Sequence, residues 1–314
     1  MPSKKIVVVI GSINTDFFIH VEAFPRPHET ILGFDSAIAV GGKGLNQAVA
    51  AARMGVETHM IAVTGDDSFG YQAIAHLNSR GVNTDAIAQV PDVNTGMANI
   101  MVARDGSNSI VVSSGANARL SPALIQENAE QIANAAAILL QLESPVDAVR
   151  HALEIARQHN VLTVLNPAPY RPACLDLLPL VDVLTPNEGE LASLTGIDEF
   201  TDSELVHGLR KLEKMGAKSV VATLGDQGSA TLVDGRLVRV PAMTVKAIDT
   251  TGAGDVFNGV LTGQLAVGRD LISAMQFASA ASALSVTIPT ADSSSTAEEI
   301  LEFIDSYKSD PLWL

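Results

Sequence analysis

The chain is expected to be an α/β protein: a mostly parallel sheet covered by helices on both faces, with a small β-sheet lid. Short uninterrupted apolar runs recur along the sequence, and stretches of helical period lie between them. Two extended segments break that rhythm without a helix partner. With 314 residues, 47% of them hydrophobic, the chain can bury a large core as one domain over 1–314.

Residues 5–10, from Lys5 through Ile10, form the first buried strand, and 59–63, 136–140, 161–165, 181–184 and 219–223 repeat its character. Helical periodicity covers 45–54, 70–79, 145–158, 188–194 and 203–215, and a last long helix runs from 271 to about 286. Residues 17–34 and 97–112 read as hairpins, the second turning at Arg104-Asp105-Gly106. They make a lid inserted in two pieces, about 15–40 and 96–113, that would cover a site. Its free strand edges favour a homodimer through the lid.

Charge narrows the partners. There are 20 Lys and Arg against 35 Asp and Glu, a formal net charge of −15. That excludes nucleic acid and anionic membrane surfaces, which need basic patches, but not a nucleotide held by backbone N–H groups. Cys174 is the single cysteine, so no intrachain disulfide or cysteine zinc site forms, and it reads as a plain structural residue. The histidines lack ligand spacing. With no signal-peptide pattern or uncharged span of transmembrane length, the expectation is a soluble, cytoplasmic protein.

The chemistry concentrates in Asp249-Thr250-Thr251-Gly252-Ala253-Gly254-Asp255, just before a helix. Gly252, Ala253 and Gly254 let backbone N–H groups converge on an anion at the helix start. Asp255 beside that hole would take the proton of a hydroxyl attacking a phosphate. The alternative is a glycine turn capped by Asp255. Gly41, Gly42 and Gly44 open another helix with Lys43 and Asn46, suited to close ligand approach or to a structural turn. Neither segment has Walker A or Rossmann spacing. Asn14 and Asp16 follow the first strand, where ligands bind in open α/β sheets, and suit sugar hydroxyls or an Asx turn. Glu143 ends the 138–142 strand in the same way. Asn187 with Glu190 reads as a helix N-cap, and Thr223, Gly225 and Gly228 as a glycine turn into a hairpin.

Taken in order, five segments resemble the ribokinase-like (PfkB) family of carbohydrate kinases. They are Gly11-Ser12-Ile13-Asn14-Thr15-Asp16, Gly41-Gly42-Lys43-Gly44, Asn187-x-x-Glu190, Thr223-x-Gly225-x-x-Gly228 and the stretch from Asp249 to Asp255. Residues 44–52, 114–118, 141–143 and 165–169 are most similar to its ribokinase branch. The resemblance implies an ATP-dependent kinase for a sugar's terminal hydroxyl, with D-ribose leading, giving ribose 5-phosphate. Deoxyribose, another pentose, a small polyol or a nucleoside are alternatives; a non-catalytic sugar-binding protein on the same fold is another. It also implies Asp255 as base and Gly252, Ala253 and Gly254 as anion hole. The sugar would be held by Asn14, Asp16, Gly42, Lys43, Asn46 and Glu143. ATP would face Asn187, Thr223, Gly225 and Gly228, with Glu190 organising Mg2+ through water. Asp249 and Thr251 match the first half of a monovalent-cation (K+) site. The sequence departs from the family at Ile288-Pro289-Thr290-Ala291-Asp292, where a basic residue, Lys and Gly are usual, and at His28, where Gly is common.

Overall fold

The first strand, β1 (Ile6–Ile10), is Ile-Val-Val-Val-Ile and is buried from its second residue onward. Branched side chains on both faces suit a strand covered by helices on each side. In this computed structural model, which describes residues 5–288 and 294–307, Val8 and Ile10 join one core cluster and Val7 and Val9 the other. The alternation of a strand thus feeds two helical layers.

After β1 come β2 (Asn14–Val21), β3 (Asp35–Gly41), α1 (Lys43–Ala52), β4 (Glu57–Gly65), α2 (Ser68–Ser79), β5 (Val82–Asn83), β6 (Ile87–Val90), β7 (Gly96–Ala103) and β8 (Asn108–Ser113). The middle holds α3 (Pro122–Glu127), α4 (Ala129–Ala133), β9 (Ala137–Leu140), α5 (Val146–Gln158), β10 (Leu162–Leu165) and β11 (Val183–Leu184). The rest comprises α6 (Glu188–Thr195), α7 (Asp202–Lys214), β12 (Ser219–Val220), β13 (Ala222–Thr223), β14 (Ser229–Val233), β15 (Arg236–Val240), α8 (Ala253–Ala266), α9 (Leu271–Ser285) and α10 (Ala297–Tyr307). The expected strand over 219–223 divides into β12 and β13, which belong to different sheets.

The main sheet is parallel, in the order β12-β11-β10-β9-β1-β4-β5, with β6 pairing β4. Strand order reverses at β1, since β4 lies on one side and β9 on the other. At such a switch point the loops leaving the strand ends diverge and open a crevice. Ser12 and Asn14 follow β1 there, and Gln141 and Glu143 follow β9.

A second sheet, β3-β2-β7-β8, forms the lid. It is mixed: β2 runs parallel to β7 and antiparallel to β3, and β7 is antiparallel to β8. The register sets Asn14 beside Gly41 and Gly96, and Asp16 beside Ala39 and Ala98. The return strand of the first hairpin begins at Asp35, later than a hairpin over 17–34 would have it. Pro25 and Pro27 lie in the connection and have no N–H to give a ladder.

Helices α1 and α8 lie against each other in the layer that also holds α9. A Cβ on Gly259 would sit 2.4 Å from the Gln47 carbonyl oxygen and 2.6 Å from Ala50 Cβ, so only glycine permits this approach. It brings Asn46 and Gln47 against the first turn of α8.

Candidate active site

Two helix starts face the crevice. The N-cap of α1 is Gly42, with φ 97°, and that of α8 is Gly252, with φ 78°; neither receives a side-chain cap. Both angles lie where a Cβ is strained. At α1 the glycines make room for protein. A Cβ on Gly44 would come 2.6 Å from the Ser12 nitrogen, and one on Gly41 would come 2.1 Å from Asp16 Oδ2. At α8 a Cβ on Gly254 would meet nothing within 4 Å. The first intrahelical bond there runs from Val256 N–H to the Gly252 carbonyl, so the N–H groups of Gly254 and Asp255 have no partner in the helix. Free donors and open space at a helix N-terminus suit an anion.

Asp255 lies in the first turn of α8 but does not cap it. Its Oδ1 accepts Gln47 Nε2 at 2.9 Å and its Oδ2 accepts Asn46 Nδ2 at 3.2 Å. The capping alternative fails because α1 approaches closely enough to take the carboxylate. Across the crevice, Glu143 Oε2 accepts Ser12 Oγ at 2.5 Å, Lys43 N–H at 3.3 Å and Asn14 Nδ2 at 3.5 Å. Asn117 Oδ1 accepts Ile13 N–H, while its Nδ2 donates to the Ile13 carbonyl and to Asn14 Oδ1 at 2.8 Å. The β1–β2 turn is thereby fixed and Asn14 oriented.

Charges crowd this space. Burial pushes the Asp16 carboxyl up to about 6, helped by the negative charges of Glu143 and Asp255 and opposed by Lys43. Lys43 is held above its ordinary value chiefly by Asp255; burial opposes this, and Glu143, Glu190 and Asp16 reinforce it. Burial likewise raises Glu190, against the Asn187 N–H bond and Lys43. One half-buried ammonium among several carboxylates leaves excess negative charge, which hydroxyl donors from a polyol would offset.

A cleft of about 880 Å3 opens on the far side of Gly254. It brings together Asn187, Thr223, Gly225 and Gly228 with Ala253 and Gly254. Gly225 and Gly228 both have positive φ, 53° and 87°. Gly228 packs under the Val240 carbonyl, which a Cβ would approach to 2.1 Å, whereas a Cβ on Gly225 would meet only Glu188 Oε2 at 3.9 Å. Asn187 and Glu190 form a reciprocal capping box: Asn187 Oδ1 accepts Glu190 N–H at 2.8 Å, and Glu190 Oε2 accepts Asn187 N–H at 2.9 Å. Asp249 Oδ1 accepts Thr251 N–H at 2.8 Å, and the Ile248 and Asp249 N–H groups bond to the Val286 carbonyl. Residues 289–292 of the departing loop lie outside the described residues. His28 takes φ 68°, the left-handed region that suits the glycine usual there.

The sequence reading missed Ser12, Gln47, Gln141 and Asn166, which lie buried beneath the crevice, and the role of Asn117. Gln141 breaks an apolar run, the one local signal of a polar layer. It also missed the apolar wall of the cleft, where Met243, Val245, Phe257, Ala283 and Val286 look like ordinary core positions. Cys174 is buried, and desolvation raises its thiol to about 11, so it reads as structural. Among the described residues no helix is long and apolar enough to cross a membrane.

Comparison with known proteins gives a consistent family. The model described as pfkB family carbohydrate kinase matches residues 4–298. A ribokinase of Haemophilus influenzae is 41% identical over 303 residues, covering 96% of this chain and 99% of its own. A deoxyribokinase of Salmonella typhi is 37% identical, over 90% of this chain and 92% of its own. Among solved structures, Arabidopsis thaliana ribokinase complexed with ribose and ATP superposes with a TM-score of 0.89 at 30% identity, covering 96% of this chain and 98% of its own.

Proposed function

The chain belongs to the pfkB family of carbohydrate kinases, and we propose that within it this protein transfers the γ-phosphoryl group of ATP to the terminal hydroxyl of a pentose, D-ribose foremost. The observation that carries this reading is the placement of Asp255 and Gly254. They stand in one helical turn between the polar crevice of Asn14, Asp16, Lys43 and Glu143 and the cleft lined by Asn187, Thr223 and Gly225.

In this reading Asn14, Asp16, Gly42, Lys43, Asn46 and Glu143 hold the sugar. Asp255 takes the proton of the acceptor hydroxyl as that oxygen bonds phosphorus. The loop Gly252, Ala253 and Gly254 receives the charge of the transferring group; the Gly254 N–H has no helix partner, while that of Ala253 bonds to the Thr250 carbonyl and would have to turn to the phosphoryl group. Asn187, Thr223, Gly225 and Gly228 hold the nucleotide. Magnesium would neutralise charge on the phosphates. No group of three His, Cys, Asp or Glu side chains among the described residues forms a metal cage. In this reading the ion is held through phosphates and water, with Glu190 as its protein contact.

A monovalent cation, K+, belongs to the same proposal. Asp249 and Thr251 form a tight turn beside the start of α8, and an ion there would order the loop ahead of Gly254. We expect kcat to be higher in potassium than in a bulky organic cation at matched ionic strength; equal rates overturn this part. A homodimer through the lid is proposed from the exposed Ile38, Ile110, Val111 and Val112 on its outer strands. Light scattering at a monomer's mass would reject it. Deoxyribose is the second reading, supported by the deoxyribokinase relative.

ADP release measured with ATP against ribose, deoxyribose, other pentoses, hexoses and nucleosides tests the function. Highest kcat/KM with ribose is expected. ADP release unaffected by any sugar would overturn the proposal in favour of a binding protein.

A further inference from the structure

Beneath the crevice runs a chain of buried amides that ends on Asp255. Gln141 Nε2 donates to Gln47 Oε1 at 2.7 Å, and Gln47 Nε2 donates to Asp255 Oδ1 at 2.9 Å. Gln47 Nε2 also reaches Asn166 Oδ1 at 3.1 Å, and Asn166 Nδ2 donates to the Thr185 carbonyl. Both glutamines are fully buried. The direction of the chain is set at its end. An ionised carboxylate only accepts, so Gln47 must turn its nitrogen to Asp255 and its oxygen away. Gln141 must then turn its nitrogen to Gln47.

The consequence falls on Gln141 Oε1, which is buried without a hydrogen-bond partner. It lies over Gly11, where a Cβ would come within 1.9 Å of it. An orphaned acceptor is costly, and Gln141 is kept despite it; what its side chain supplies is the donor to Gln47 Oε1, which an apolar residue at 141 would leave without one. Both glutamines sit on elements held rigidly: α1 touches α8 at Gly259, and Gln141 directly follows the central strand β9.

We propose that Gln47 and Gln141 are positioning residues for the transfer reaction: Gln47 fixes the plane of the Asp255 carboxylate so that Oδ2 faces the acceptor hydroxyl, and Gln141 fixes Gln47. This rests on the reading of Asp255 as base. In that step the acceptor O–H gives its proton to Asp255, its oxygen bonds the γ-phosphorus, and the bond from phosphorus to the departing ADP oxygen breaks. The two glutamines exchange no proton. Because Gln141 acts only through Gln47, the two effects must not multiply.

The test is kcat and KM of Gln47→Leu, Gln141→Leu and the double variant with ATP and the best sugar. Expected losses in kcat are about 100-fold for Gln47→Leu, the low end of general-base effects, and about 10-fold for Gln141→Leu, which acts one hydrogen bond further away. The double variant should be no slower than Gln47→Leu, and both KM values should stay within about three-fold. Independent multiplication of the two losses, or a Gln47→Leu rate within two-fold of wild type, overturns the proposal. Gln141→Glu guards against misfolding because it is nearly isosteric. Its kcat should fall as pH rises, when the new carboxylate can no longer donate to Gln47; a pH profile parallel to wild type counts against the chain. Wild type inactive on every sugar would sink the kinase reading alone. The network is then judged by the Gln47 side-chain amide resonances in 15N-labelled protein, which must move on Asp255→Asn, and unmoved resonances refute it.

Discussion

The starts of α1 and α8 carry the same local device and use it for opposite ends. Each begins on a glycine of positive φ without a side-chain cap, Gly42 in one and Gly252 in the other. At α1 the neighbouring glycines are filled in by protein: Ser12 backbone stands over Gly44 and the Asp16 carboxylate over Gly41. At α8 the space beside Gly254 is empty and the N–H groups of Gly254 and Asp255 have no partner in the helix. A glycine run therefore has two physical meanings. At α1 it draws the lid and the β1–β2 turn onto a helix to build a polar pocket; at α8 it leaves open space, which the proposed function fills with the transferring phosphoryl group.

The sharpest way to break this division is at Asp255. Asp255→Asn should cut turnover about 10²–10⁴-fold while nucleotide affinity stays near wild type. Steady-state kinetics with nucleotide titration checks it, and activity within a few-fold of wild type would end the assignment of chemistry to α8. Next comes Asp16 on the α1 side. Asp16→Ala should weaken sugar binding by roughly 1–3 kcal/mol and leave ATP binding alone. Calorimetry showing both ligands equally affected would merge the two regions into one.

Asp16 also sharpens the comparison through stability. Its carboxyl rises from 3.8 to about 6 on folding, chiefly by burial. The native state then binds more protons than the unfolded state across that window, so unliganded stability falls as pH rises through it. Asp16→Asn should stabilise the unliganded protein at pH 7.5 by on the order of 2 kcal/mol, and by less at pH 4.5. Urea midpoints at the two pH values measure this; an equal gain at both would remove the pocket charge as its cause. The smallest effect is expected at His28, whose φ of 68° suits glycine better. His28→Gly should gain about 1 kcal/mol or less, because the relief is partly offset by a freer unfolded chain. A loss of stability would show that the His28 side chain has contacts that outweigh its backbone strain.

Much of this was legible in the sequence, for identifiable reasons. The parallel strands were readable because a strand buried on both faces is apolar throughout, as Ile6–Ile10 is. The α8 start was readable because Gly252 to Asp255 is a local arrangement. The return strand Asp35–Gly41 was not, since its first four residues are exposed and lack the alternation of a half-buried strand. Gln47 and Gln141 were not either. One lies among alanines and the other after leucines, and only the convergence of α1, β9 and α8 shows what they touch. The apolar wall of the cleft beside Gly254 was hidden for a similar reason: Phe257 and Ala283 have the pattern of helix core, and the cleft beside them is a tertiary feature.

The most direct test of the two meanings of glycine is a crossed pair, Gly254→Ala and Gly44→Ala, each measured for thermal midpoint and for turnover with ATP and ribose. Gly254→Ala should keep the wild-type midpoint, since its methyl meets no protein atom within 4 Å, yet lose at least about 10-fold in kcat through intrusion on the transferring group. Gly44→Ala should lose about 1–3 kcal/mol of stability, because its methyl would meet the Ser12 backbone. A Gly254→Ala enzyme that turns over at the wild-type rate would contradict the central claim that the open start of α8 is where the phosphoryl group passes.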